Sequence, residues 1–88
     1  MIWTVEWDER ARRELRKLDR SIQGEILRYF RVRIMGNNDP RRFGRPLKHE
    51  LKGLWRYRIG DYRAICRIED QRLVVLVLIV GHRRRIYR

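Results

Sequence analysis

In the second half of the chain Arg56, Arg58, Arg63, Arg83, Tyr87, His82, His49, Lys48 and Lys52 combine guanidinium, ammonium, imidazole and phenol groups. That combination suits phosphate chemistry on RNA, which carries its own nucleophile in the ribose 2′-hydroxyl. A nuclease working without a metal must take the 2′ proton, neutralise the pentavalent phosphate and return a proton to the departing 5′ oxygen. Guanidinium groups serve the second task, because they stay charged and donate forked hydrogen bonds to phosphate oxygens. They serve proton transfer poorly, since an Arg pKa above ~12 leaves almost no free base at neutral pH. An imidazole, with a reference pKa of ~6.5, fits that role better. His82 and Tyr87 are therefore the candidate proton carriers, with Arg41, Arg42, Arg45, Lys48, Lys52, Arg84 and Arg85 as candidate contacts to RNA.

Other chemistries are poorly provided for. No His and Cys cluster has metal-ligand spacing, and no glycine-rich loop joins a strand to a helix as phosphate cradles do, so neither metal nor cofactor is expected. Ser21 stands at a helix start, where it reads as a cap, and the single cysteine, Cys66, excludes an intramolecular disulfide and is expected buried in a strand. Plainer readings of the cations stand beside the catalytic one. Arg56 and Arg58 suit a solvated strand edge that discourages aggregation, Arg83 to Arg85 suit a phosphate-attracting tail, His49 suits a surface loop, and Tyr87 suits packing under a sheet. Residue types alone thus give a basic RNA- or DNA-binding domain with a candidate metal-free nuclease site.

The elements that must position these groups are short. The chain has 88 residues, and its 23 Lys and Arg against 11 Asp and Glu give a net charge of +12. A chain of this size buries only about 60–65% of its unfolded surface, so one domain spanning 1–88 is expected and multi-domain readings are excluded. A hydrophobic content of 43%, with three Trp and four Tyr, is too high for a disordered polybasic tail. Such a charge implies an anionic partner, most often nucleic acid. No apolar run approaches the ~20 residues that span a bilayer, and the first residues lack a signal-peptide layout. A cytoplasmic protein without membrane contact is expected.

Residues 2–7 alternate Trp3, Val5 and Trp7 on one face, which predicts a strand. Asp8 then occupies an N-cap position before a helix with Ala11, Leu15 and Leu18 inward and Arg10, Arg12, Arg13, Arg16 and Lys17 outward. From Asp19 or Ser21 a second helix carries Ile22, Ile26, Leu27, Phe30 and Ile34, and Gly36-Asn37-Asn38-Asp39-Pro40 stops it. A cationic loop follows over 36–50. Trp55, Tyr57 and Ile59 alternate with Arg56 and Arg58, so a strand with its cations on one side is expected. Gly60-Asp61 is a tight turn into a strand from Tyr62 to Ile68, and Asp70-Gln71 turns the chain into the apolar run Leu73 to Val80, a central strand. The order β-α-α-β-β-β predicts an α+β fold: a helical hairpin packed on a mostly antiparallel four-stranded sheet whose other face is cationic.

Three ordered segments carry a resemblance. They are Arg45-Pro46-Leu47-Lys48, the stretch Leu51-Lys52-Gly53-Leu54-Trp55-Arg56-Tyr57-Arg58-Ile59-Gly60-Asp61-Tyr62-Arg63, and Val80-Gly81-His82-Arg83 with Ile86-Tyr87-Arg88. Together with Glu6-Trp7-Asp8, Ala11, Leu15 and Leu18, this set resembles the RelE/ParE superfamily of type II toxin–antitoxin toxins, on the RelE side. The resemblance implies a RelE-like, microbial-ribonuclease-like fold and a toxin that cleaves mRNA in the ribosomal A site through 2′-hydroxyl attack. It implies that Arg63 and Arg83 hold the scissile phosphate, that Tyr87 orients the nucleotide and that His82 lies where some members keep an acid or base. Arg56 and Arg58 stand where the best-known members have lysine, which moves proton transfer toward His82, Tyr87, Lys48 or Lys52. The partner implied is an acidic, RelB-like antitoxin, through which promoter DNA is bound. The alternatives are a ParE-type DNA gyrase inhibitor and a non-catalytic basic RNA-binding module.

Overall fold

A computed structural model describes residues 2–86 and gives the order β1 (Thr4–Trp7), α1 (Glu9–Arg16), α2 (Arg20–Tyr29), β2 (Arg45–Pro46), β3 (Trp55–Ile59), β4 (Tyr62–Glu69), β5 (Val74–His82) and α3 (Arg83–Ile86). A π-helical turn, Phe30–Ile34, extends α2, and 3-10 turns at Pro40–Phe43 and His49–Leu51 interrupt the connection to β3. The strands form one sheet in the order β1-β5-β4-β3-β2, antiparallel except for β1, which runs parallel to β5. The α+β class is as expected. The sheet has five strands instead of four because Arg45 and Pro46 pair with Arg56 and Trp55. So short a pairing has no alternation to read, and a proline without an N–H is accommodated at such an edge.

Local chemistry sets the element boundaries. The Asp8 carboxylate accepts the Arg10 N–H at 3.2 Å and caps α1, with Glu9 in its first turn. Gly60 sits at φ +59, which lets the β3–β4 hairpin close over two residues. A bulge between Ile65 and Cys66 shifts the β4–β5 register, pairing Ile65 with Ile79 but Cys66 with Val77.

The helical hairpin covers one sheet face, α1 chiefly against β5 and α2 chiefly against β3. Between helices and sheet lie the buried Ala11, Leu15, Ile26, Phe30, Ile34, Tyr57, Ala64, Cys66, Val75, Val77 and Val80. Phe30 stands edge-on to Trp7 at 5.3 Å and to Tyr57 at 5.8 Å, and the Tyr57 hydroxyl donates to the Pro40 carbonyl at 2.8 Å, satisfying its polar tip. Burial pushes the Cys66 thiol well up from its ordinary value, which suits an inert core residue. Among the described residues no helix is long and apolar enough to cross a membrane.

Candidate active site

Register decides which cations meet, because paired residues share a sheet face. Arg58, Arg63 and Gly81 form one row across β3, β4 and β5, and Arg45, Arg56, Ile65 and Ile79 form the neighbouring row. Both rows lie on the face away from the core, which takes Tyr57, Ala64 and Val80 from the other side of the same strands. Arg56 and Arg58 share this face as their alternation predicts, Arg63 meets them across the β3–β4 hairpin, and Arg45 joins them through the edge strand.

Members of the set differ in what they can reach. Arg58 and Arg45 are exposed and Arg56 is partly buried, whereas Arg63 is only 6% exposed. Its Nη1 donates to the carbonyls of Gly60 and Tyr62, at 2.8 Å each, so Arg63 braces the β3–β4 turn and supplies a fixed charge beneath the row. Arg83 opens α3. Its backbone N–H donates to the Asp61 carbonyl at 2.8 Å, and its Nε lies 3.8 Å from the Asp61 carboxylate. The same turn thus anchors both arginines.

His82 goes to the other face. It pairs with Tyr62, the rings standing edge-on with centroids 5.4 Å apart, and its Nδ1 accepts the Arg84 N–H at 3.2 Å. That bond places the ring hydrogen of the neutral imidazole on Nε2, so Nδ1, the basic nitrogen, must release the Arg84 N–H before the ring can take a proton. His82 nonetheless lines a cleft of about 940 Å³ that wraps the end of β5. Ile65, Ile79 and Gly81 line it together with Leu51, with Arg10, Glu14 and Lys17 from α1, and with Arg84, Arg85 and Ile86 from α3. Gly81 lets α3 lie close, since a Cβ there would stand 3.3 Å from Ile86 Cγ1.

The remaining candidates stand apart. Arg41 donates to both carboxylate oxygens of Asp70, at 3.0 and 2.6 Å, and lies 5.8 Å from the centroid of the Trp55 ring, at the sheet end opposite the Gly60 turn. Its charge is neutralised there, so it straps the β4–β5 turn. Arg42 donates to Asn38 and sits over Phe43. Lys48 and Lys52 are exposed on either side of the 3-10 turn that holds His49 at φ 57. Tyr87 lies outside the described residues. Among the described residues no group of three His, Cys, Asp or Glu side chains is placed to hold a metal ion.

Residue types alone did not single out Glu14, whose Oε1 accepts the Val80 N–H at 2.9 Å just beyond the last β1 pairing. A signal for it exists: with Ala11, Leu15 and Leu18 it completes an i, i+3, i+4, i+7 stripe, which places a carboxylate on the inward side of an otherwise cationic helix.

The family model described as the ParE toxin of type II toxin–antitoxin systems matches residues 5–87. The chain is 38% identical over 88 residues to Toxin RelG of Mycobacterium tuberculosis, covering 100% of this chain and 99% of that one. It is 32% identical over 78 residues to Toxin RelE of the same organism, covering 89% and 78% of the two chains. Among solved structures, the toxin–antitoxin complex RelBE2 from M. tuberculosis matches with a TM-score of 0.85 and 34% identity, over 93% of this chain and 92% of that one. The archaeal RelE–RelB complex from Pyrococcus horikoshii OT3 shares the fold at a TM-score of 0.70 and 22% identity, over 97% and 99% of the chains. Sequence and fold together make this chain a member of the RelE/ParE superfamily of type II toxin–antitoxin toxins, on its RelE-like side.

Proposed function

We propose that this toxin is a ribosome-dependent mRNA endoribonuclease that cleaves in the A site by 2′-hydroxyl attack. The observation that carries the reading is the row Arg58, Arg63 and Gly81, which runs across the sheet to the Arg83 anchor and the His82 cleft. Arg58 and Arg83 take the non-bridging phosphate oxygens, and Arg63 adds its charge from below without changing conformation, a preorganisation that favours the pentavalent state over the diester. His82 carries the proton at Nδ1 once that nitrogen is released from the Arg84 N–H, and Tyr87 orients the nucleotide. Arg45, Lys48, Lys52, Arg84 and Arg85 hold the RNA on either side. An acidic, RelB-like antitoxin neutralises this surface by complementarity and carries any promoter-DNA recognition. The reading places the toxin in the cytoplasm, where translating ribosomes are.

The test is primer extension on an mRNA in a reconstituted translation reaction, with and without ribosomes, using wild type, Arg83→Ala and His82→Ala. Ribosome-dependent cuts in A-site codons, reduced roughly 10²- to 10³-fold by Arg83→Ala, are expected, the size typical of losing one transition-state donor. Intact mRNA with toxin bound to ribosomes would overturn the proposal. The family description as a ParE toxin favours gyrase as the second reading, and trapped DNA cleavage complexes with intact mRNA would establish it.

A further inference from the structure

A cavity of about 670 Å³ opens at the β3 edge of the sheet, between α2 with its π-helical turn and the Pro40–Phe43 turn. Arg28, Arg33 and Arg58 line it with Tyr29, Phe43 and Ile59, and Glu25 is the one carboxylate among its lining residues. Among the described residues none of these three arginines has a carboxylate partner, in contrast to Arg10, Arg41, Arg67, Arg72 and Arg83. The Arg33 guanidinium lies 5.9 Å from the Tyr29 ring centroid and 5.8 Å from that of Phe43. Guanidinium charge without a carboxylate partner beside partly exposed rings is the composition that binds single-stranded nucleic acid, phosphate on the cation and base on the flat groups.

Arg58 connects this cavity to the cation row. It is both a lining residue and the edge member of the row that ends at Gly81, two strand spacings or roughly 10 Å away. We propose that the cavity is a nucleotide subsite for single-stranded RNA, holding a nucleotide that flanks the one cleaved. The proposal rests on the RNA reading above and adds a substrate contact on the helix side of the sheet edge. A peptide strand added to β3 fits less well. Gly44 passes so close that a Cβ there would stand 3.0 Å from the Tyr57 ring and 3.3 Å from the Arg56 carbonyl, so the edge is obstructed where a new strand would pair.

The test is fluorescence anisotropy of a labelled oligouridylate octamer and trimer over a salt series. It compares wild type, Arg28→Ala/Arg33→Ala, and an Arg12→Ala/Arg13→Ala control that removes the same charge from α1. All four side chains are exposed, and circular dichroism confirms folding. For the cavity variant, octamer Kd is expected to rise about 10-fold or more, with the log–log salt slope falling by ~1.4, the value for two phosphates on a single strand. The trimer and the α1 control are expected to change less than about threefold, as screening of a distant field allows. Equal weakening by both double variants, or by neither, overturns the subsite. So does an oligoglutamate octamer that outcompetes RNA on wild type but not on Arg28→Ala/Arg33→Ala, which would make the cavity a protein-docking site. Failure of the nuclease reading shows separately, as mRNA left intact by the wild-type toxin in the translation reaction, and leaves this binding measurement unaffected.

Discussion

Where β1 ends, the N–H of Val80 on β5 turns toward α1, and Glu14 accepts it at 2.9 Å while also receiving Arg10 Nε at 3.3 Å. A carboxylate so placed joins a helix to a sheet edge that no strand covers. Glu14→Ala should lower unfolding free energy by about 1–3 kcal/mol, the cost of stranding a partly buried donor, and Glu14→Gln should lose less because its amide oxygen still accepts. Urea denaturation of the two variants checks the order. Tyr57→Phe removes the bond to the Pro40 carbonyl and should cost ~1 kcal/mol in the same assay. The facing of Arg56, Arg58 and Arg63 was legible, because alternation and the Gly60-Asp61 hairpin fix it by counting. The placement of His82 was not. It depends on the β4–β5 register, which the bulge at Ile65/Cys66 shifts with no mark in the residue types. Arg41 was equally opaque, since its partner Asp70 is 29 residues away.

Helix α2 contains a weakness that its tertiary contacts do not require. Gly24 lies in its interior with no atom within 4 Å of a built Cβ, and its backbone is ordinary for a helix. Gly24→Ala should therefore raise stability by about 0.5–1 kcal/mol, read as a higher Tm. The opposite outcome would mean that the open space beside Gly24 is used by something absent from the isolated chain. The helix as a whole was legible from Ile22, Ile26, Phe30 and Ile34, but its change to a π turn at Phe30 was not, because one wider turn leaves the same residues inward. The edge strand β2 was likewise hidden, two residues being too few for any period.

With 11 carboxylates against 23 cations, the molecule depends on where the few negative charges are spent. Glu69 accepts from Arg72 and Arg67, and Asp70 from Arg41, and these bonds hold both carboxyls below their ordinary values of 4.5 and 3.8. Groups lowered in the folded state contribute stability above their unfolded values and lose it as pH falls through the folded ones. Tm should thus decline as pH drops below about 4.5. Asp70→Asn should flatten part of that decline, and added salt should shrink the difference because the pairs are exposed. Scanning calorimetry from pH 6 to pH 3 checks both. At this scale the sequence was most legible: charge and α+β class follow from composition and period, whereas the pairing of first strand with last joins residues too distant for any local pattern.

That pairing also governs when the molecule comes into being. β5 lies between β1 and β4, yet it follows all the other strands in the chain, and Thr4 waits for Val74. While a ribosome is still making the protein, β1 has no neighbour, α1 has no β5 to rest on, and β3 and β4 are a lone hairpin of marginal stability. The sheet can close only after Val74–His82 has been released, by long-range contacts that form slowly. Synthesis therefore delivers the cation row, the His82 cleft and Arg83 together and late, so that no partial chain lacking β5 carries an assembled cation row.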